Sequence, residues 1–253
     1  MDLGLKGRKA LVTGATRGIG RAIAELLAAE GAAVAICARN AGEVASMVER
    51  LRGAGVAATG QALDVADGAA LAGFVQHAAR ELGGLDIVIP NVSALAIGAD
   101  EASWQAEFQT DLMGTVRLVQ AAMPHLEASD AGSIVIISSV SGREIDFAAG
   151  PYGAMKAALI HYANGLAYQL AGKGIRANAI SPGNTYFEGG VWHNIERNNP
   201  ALFSSALALN PTGRMGKPEE MARAAVFLAS PAASFISGTN LVVDGALTRG
   251  VQY

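Results

Sequence analysis

Cysteine is nearly absent: the chain has 253 residues and a single thiol, Cys37. That excludes an intramolecular disulfide framework and a zinc site built on clustered cysteines, and it suits a reducing compartment. Charge is sparse as well, at 16% of residues, and the balance of 22 acidic to 19 basic side chains is close to even. No broad positive field exists to draw nucleic acid or an anionic membrane surface, so neither is an expected partner. Long apolar runs are missing: stretches such as Ser133-Ile-Val-Ile-Ile137 fall far below the roughly 18 residues a membrane-spanning helix needs. Met1 to Lys9 carries charges and glycines but no apolar stretch ahead of a cleavage site, so no export is expected and the chain reads as cytoplasmic. Internal repeats and low-complexity linkers are absent too.

What the sequence has in quantity is apolar residues, 51%, with 31 glycines and no collagen-like period. A chain of this length and composition folds around a continuous core, and one large domain is the working reading. Short β-branched runs alternate with helical stretches from end to end, the pattern of stacked βαβ units. The expected strands are 9–13, 33–37, 56–63, 85–89, 133–138, 176–180 and 240–243. Most are apolar without alternation, as strands covered on both faces should be. Stripes at helical spacing follow the first two, Ile23, Leu26 and Leu27, then Val44, Met47, Val48 and Leu51, and read as core contacts. The expected fold is therefore a three-layer, doubly wound, Rossmann-like α/β domain with a parallel sheet. From Asn184 to Met215 the chain shows aromatic and polar residues without a sustained period, and 184–215 is read as an irregular substrate-side loop.

The first strand runs into Thr13-Gly14-Ala15-Thr16-Arg17-Gly18-Ile19-Gly20, and a helical pattern opens at once. Glycines at a strand-to-helix turn allow a tight reversal and close backbone approach, and the helix N-terminus offers free N–H groups to a pyrophosphate. Gly14, Thr16, Arg17, Gly18, Ile19 and Gly20 are thus candidate dinucleotide-binding residues. At the tip of the second strand an acid would bond a ribose hydroxyl, whereas a base would suit a 2′-phosphate. The sequence there is Ala38-Arg39-Asn40, so Arg39, with Arg17, favours NADP(H) over NAD(H). Asp64 and Val65, past the third strand, are candidate adenine contacts.

The fifth strand ends in Ser138-Ser139, and Tyr152-Gly-Ala-Met-Lys156 opens a helical stretch. Residues four apart share a helix face, so a phenol and an ammonium stand side by side. A neighbouring cation is expected to lower the phenol from its ordinary pKa near ~10 and make it a usable acid/base. Ser139 can donate to a carbonyl oxygen that gains negative charge. A hydrolase reading finds no Gly-x-Ser-x-Gly elbow, and the four histidines, His77, His125, His161 and His193, lack metal-ligand spacing, so no metal is expected.

Together these motifs resemble the single-domain short-chain dehydrogenase/reductase family: the glycine turn, Asp64-Val65, Asp86-Ile-Val-Ile-Pro-Asn91, the Ser139, Tyr152, Lys156 spacing, Asn178-Ala-Ile-Ser-Pro-Gly183 and Val243-Asp244-Gly245. The resemblance implies hydride transfer between a nicotinamide cofactor and a small carbonyl or secondary alcohol. Tyr152 would exchange the proton, Ser139 orient the substrate oxygen, and Lys156 also bond the nicotinamide ribose. Asn91 would contact the adenosine ribose, and Pro182, Gly183 and Thr185 would flank the nicotinamide. It implies a homotetramer as well. Two places depart from the family pattern. Pro90-Asn91-Val92-Ser93 replaces Asn-Asn-Ala-Gly, and Asp111 stands where the family's proton-relay Asn sits, so Asp111 is expected to support the relay with an altered pH dependence. The alternative from another class is a dinucleotide-binding sensor or scaffold without turnover.

Overall fold

The computed structural model describes residues 2–251. A seven-stranded sheet forms in the order β3-β2-β1-β4-β5-β6-β7. The strands are β1 (Lys9–Thr13), β2 (Ala33–Ala38), β3 (Ala58–Ala62), β4 (Ile87–Ile89), β5 (Ser133–Ile137), β6 (Arg176–Pro182) and β7 (Asn240–Val243). All neighbouring strands pair in parallel, which requires a crossover after each one. The helices α1 (Gly18–Ala29), α2 (Ala41–Gly53), α3 (Gly68–Leu82), α4 (Glu101–Glu107), α5 (Gly114–Glu127), α6 (Pro151–Leu170), α7 (Val191–Asn198), α8 (Pro200–Ala208) and α9 (Pro218–Ala229) occupy these connections.

Successive side chains of a strand point to opposite faces, and the core divides accordingly. Val12, Ile36, Ile89, Val135 and Ile180 pack with α1, α2 and α9 on one face. Leu11, Cys37, Val88, Ile136 and Ala179 pack with α3, α5 and α6 on the other. The expected three-layer, doubly wound fold in a single domain is the one observed, and the expected stripes are core: Ile23, Leu27, Val44, Met47, Val48 and Leu51 are buried. β3 and β4 are shorter than the apolar runs that announced them, because only Ala58–Ala62 and Ile87–Ile89 find partners in register.

The segment 184–215, expected to be irregular, is largely helical. Asn199 breaks it into two short helices, its side chain accepting from Leu202 N at 3.1 Å while Pro200 opens α8. Each helix is too short to display a sustained apolar period. Their apolar residues instead meet in a satellite cluster of Trp192, Ala206 and Met215, flanked by Tyr186, Ile195, Phe203 and Leu207. This small unit follows the carboxyl end of β6. Between β1 and β4 the chain order reverses, and at such a switch point a crevice opens beyond the carboxyl ends of the strands.

Candidate active site

The glycine turn leaves β1 with Gly14 at φ +65° and Gly18 at φ +55°, backbone that L side chains avoid. A Cβ on Gly20 would lie 2.3 Å from Gly14 O, so helix and turn could not approach this closely with any other residue. Asn91 braces the arrangement: its Nδ2 donates to the carbonyls of Thr13 (3.0 Å) and Gly14 (3.2 Å), and its N–H to Thr13 Oγ1 (3.0 Å). α1 starts at Arg17 without a side-chain cap, which leaves its first-turn N–H groups free for an anion. This cradle fits a pyrophosphate-bearing cofactor.

Around the turn, Thr16 Oγ1 donates to Glu43 Oε2 at 2.8 Å. Arg17 and Arg39 are exposed and make no ion pair among the described residues. Asp64 is exposed and accepts from Ala66 N at 2.9 Å, while Val65 is buried. Pro182 ends β6, and Thr185, buried, donates to Gly183 O at 3.0 Å. Ile19 packs against the α1 face of the core.

On α6, Tyr152 and Lys156 stand four positions apart, and Lys156 Nζ sits 5.4 Å from the Tyr152 ring centre. Lys156 is buried, donates to Ile137 O at 3.3 Å, and pairs with Asp111 Oδ2 at 3.0 Å. Ser138 donates to Lys156 O at 2.8 Å, tying the end of β5 to α6. Ser139 begins a short helical turn, accepting from Ser141 N at 3.2 Å, and it hydrogen-bonds the Tyr152 phenol. Ser139, Tyr152, Lys156 and Asp111 are thus brought into one cluster at the carboxyl end of the sheet.

Asp111 arrives on a π-helical turn, Phe108–Met113, inserted between α4 and α5. Such turns recur at functional sites. Its Oδ1 accepts from Ala94 N at 2.8 Å. One turn earlier Glu107, fully buried, accepts from Ala96 N at 2.6 Å and faces Asp111. The two carboxylates pin the 93–97 segment through its backbone.

The electrostatics correct one expectation. Burial pushes the Tyr152 phenol up, and the Lys156 ammonium and the Ser139 hydrogen bond offset this only in part. The cation falls short because Asp111 shares its charge. Burial opposes the Lys156 charge, yet the Asp111 carboxylate, with Tyr152 and Glu107 adding to it, more than compensates and holds the ammonium above its ordinary value. Burial, then Asp111, raises Glu107 to about 7.

A family model described as Enoyl-(Acyl carrier protein) reductase matches residues 14–248. The chain belongs to the short-chain dehydrogenase/reductase family. Isoepoxydon dehydrogenase of Penicillium expansum is 41% identical, with 100% of this chain and 99% of that protein covered. L-Sorbose reductase of Gluconobacter frateurii, solved with NADPH and L-sorbose, superposes with a TM-score of 0.90 at 28% identity, covering 99% and 100% of the two chains. A 7α-hydroxysteroid dehydrogenase solved with NADH and 7-oxo glycochenodeoxycholic acid gives 0.89 at 29% identity, covering 97% and 96%. Membership makes this chain an oxidoreductase working with a nicotinamide cofactor.

Within this short-chain dehydrogenase/reductase, three residues escaped the sequence reading. Glu43 is a first-turn acid of α2 and Glu107 the last residue of α4. Phe187 lies so close to the glycine turn that a Cβ on Gly18 would meet its ring at 2.6 Å. No local pattern marks any of the three, since each gains its meaning from a partner distant in sequence or one helical turn away.

Proposed function

We propose that the protein interconverts a small carbonyl compound and the corresponding secondary alcohol, with Tyr152 exchanging the proton. The observation that carries this reading is the cluster of half-buried Tyr152 with buried Ser139, Lys156 and Asp111, since a sensor or scaffold has no need of a proton-exchanging phenol next to an ammonium. When bound, the nicotinamide supplies or accepts the hydride. Ser139 donates to the substrate oxygen and holds it against the Tyr152 hydroxyl. Because burial keeps that phenol above its ordinary pKa, it is a neutral proton donor at pH 7, the state reduction requires. Oxidation needs the phenolate and should rise toward alkaline pH. Lys156 also bonds the nicotinamide ribose in this reading, and Asp111 supports the relay by fixing the ammonium.

NADP(H) is the proposed cofactor, supported by two guanidiniums, Arg17 and Arg39, beside the turn that make no ion pair among the described residues and can meet a 2′-phosphate. Gly14, Thr16, Gly18, Ile19 and Gly20 would line the pyrophosphate, Asp64 and Val65 the adenine, Asn91 the adenosine ribose, and Pro182, Gly183 and Thr185 the nicotinamide. Glu43 gives the NAD(H) alternative its one specific support, because its carboxylate lies at the turn on Thr16 and can accept from a ribose hydroxyl. The substrate enters beside α7, where Trp192 stacks edge-on to Phe147 with centroids 5.6 Å apart. Leu95, Ile97 and Ile145 are exposed in the two flanking loops, and this apolar setting favours a ring-bearing or otherwise apolar substrate. A homotetramer in the cytosol completes the reading.

The deciding experiment follows NADPH absorbance with a panel of cyclic and linear ketones. The parent should turn over at least one of them. Tyr152→Phe should fall about a thousandfold or more in kcat while binding NADPH normally. Turnover that survives this substitution overturns the assignment, and silence of the parent across the panel with cofactor bound would favour the sensor.

A further inference from the structure

Glu107 and Asp111 are both fully buried, one helical turn apart, with their carboxyl groups facing each other. Among the described residues, Glu107 Oε2 receives no hydrogen bond and Asp111 Oδ2 meets the Lys156 ammonium at 3.0 Å, while each residue's other oxygen accepts from a backbone N–H, that of Ala96 or Ala94. Two ionised carboxylates cannot satisfy one another, since neither has a donor. One proton between them resolves the problem.

We propose that Glu107 is held as the carboxylic acid, donating its proton to Asp111, and that this shared proton makes Glu107 a positioning residue for proton exchange at Tyr152. Asp111 is the better ionised partner, for it alone pairs with Lys156 Nζ at 3.0 Å. The groups acting on Glu107 are few: Asp111 from the π-helical turn and Lys156 from α6, with the main-chain N–H of Ala96 from the 93–97 segment. Burial and Asp111 raise it to about 7, so the acid form holds below that pH and the proton leaves to solvent above it. A second negative charge then appears behind Lys156, and it raises both Lys156 and Tyr152 further. In this scheme the cluster resists forming phenolate as the pH climbs past neutral.

The role rests on the proposed chemistry at Tyr152, but the proton itself is tested separately. Glu107→Gln copies the protonated acid, because its amide donates to Asp111 while its carbonyl accepts from Ala96 at every pH. The alkaline rise of alcohol oxidation should move down by about one pH unit in this variant, and any inflection near neutrality should vanish. Glu107→Leu offers no donor and no acceptor, and its kcat should fall well below that of Glu107→Gln. Infrared difference spectra of parent minus Glu107→Gln at pH 6 should contain the carbonyl stretch of a protonated carboxylic acid, lost by pH 9. Absence of that band overturns the shared proton even in an active enzyme. Superimposable pH-rate profiles with the band present overturn the coupling to Tyr152. A parent protein inactive toward every alcohol, band present, sinks the functional reading and leaves the proton in place.

Discussion

Arg39 follows the last residue of β2, exposed and without an ionic partner among the described residues. A guanidinium left free in such a place is a recognition group for a phosphate, and removing it should be felt by one nucleotide alone. Arg39→Asp is expected to weaken NADPH binding at least tenfold and to improve NADH binding, so that the ratio of the two dissociation constants inverts. Calorimetry with both nucleotides checks this, and an unchanged ratio would hand the choice to Glu43. At this scale the sequence was informative wherever chemistry depends on spacing: Tyr152 and Lys156 had to share a helix face. It misled on the sign of the Tyr152 shift, expected downward and found upward, because burial and the Asp111 ion pair, which together decide it, arise from packing between α6 and the π-helical turn.

The elements were readable to the extent that their apolar residues repeat. Strands 9–13 and 240–243 emerge with the boundaries their residues suggested; the first is buried between helices, as its unbroken apolar run implies, and the second is the half-exposed edge of the sheet. Helices α7 and α8 were hidden by brevity, and the π-helical turn by having no periodicity of its own. Neither does sequence announce what ends a helix from outside. The carboxyl end of α9 is closed by Arg176 of β6, whose guanidinium donates to the carbonyls of Leu228 (2.6 Å), Ala229 (3.1 Å) and Ser230 (3.0 Å). A cation there answers both the unpaired carbonyls and the helix dipole, and burial depresses its pKa without a carboxylate to compensate. Arg176→Ala should therefore cost about 3 kcal/mol, read as a lowered midpoint in urea unfolding, with kcat of the folded fraction nearly unchanged. A midpoint equal to that of the parent would refute this account of α9.

As a whole, the molecule places its chemistry at one end of the sheet and leaves a different surface bare. On α6, Ala154, Ala157, His161, Asn164 and Tyr168 are exposed at alternating spacings of three and four, the stripe by which helices pair. Tyr168 projects with 90% of its surface accessible. Self-association through two such faces follows a twofold axis, because the same patch must meet itself. Tyr168→Asp is expected to reduce the assembly to a smaller species in sedimentation velocity, while the parent sediments as a tetramer at the same concentration. Sedimentation of parent and variant at one identical rate would remove α6 from the interface.

The wide turn at Phe108–Met113 also sets a phase. The π-helical turn carries more residues than the roughly 3.6 of an α-helical turn, so deleting one residue within it would re-thread the run as plain α-helix and shorten the path from α4 to α5. Glu107 and Asp111 would then stand three or four residues apart and still share a face, but the loop that both anchor through Ala96 and Ala94 would be drawn to a new position, and the substrate mouth would be re-cut by a change in length alone.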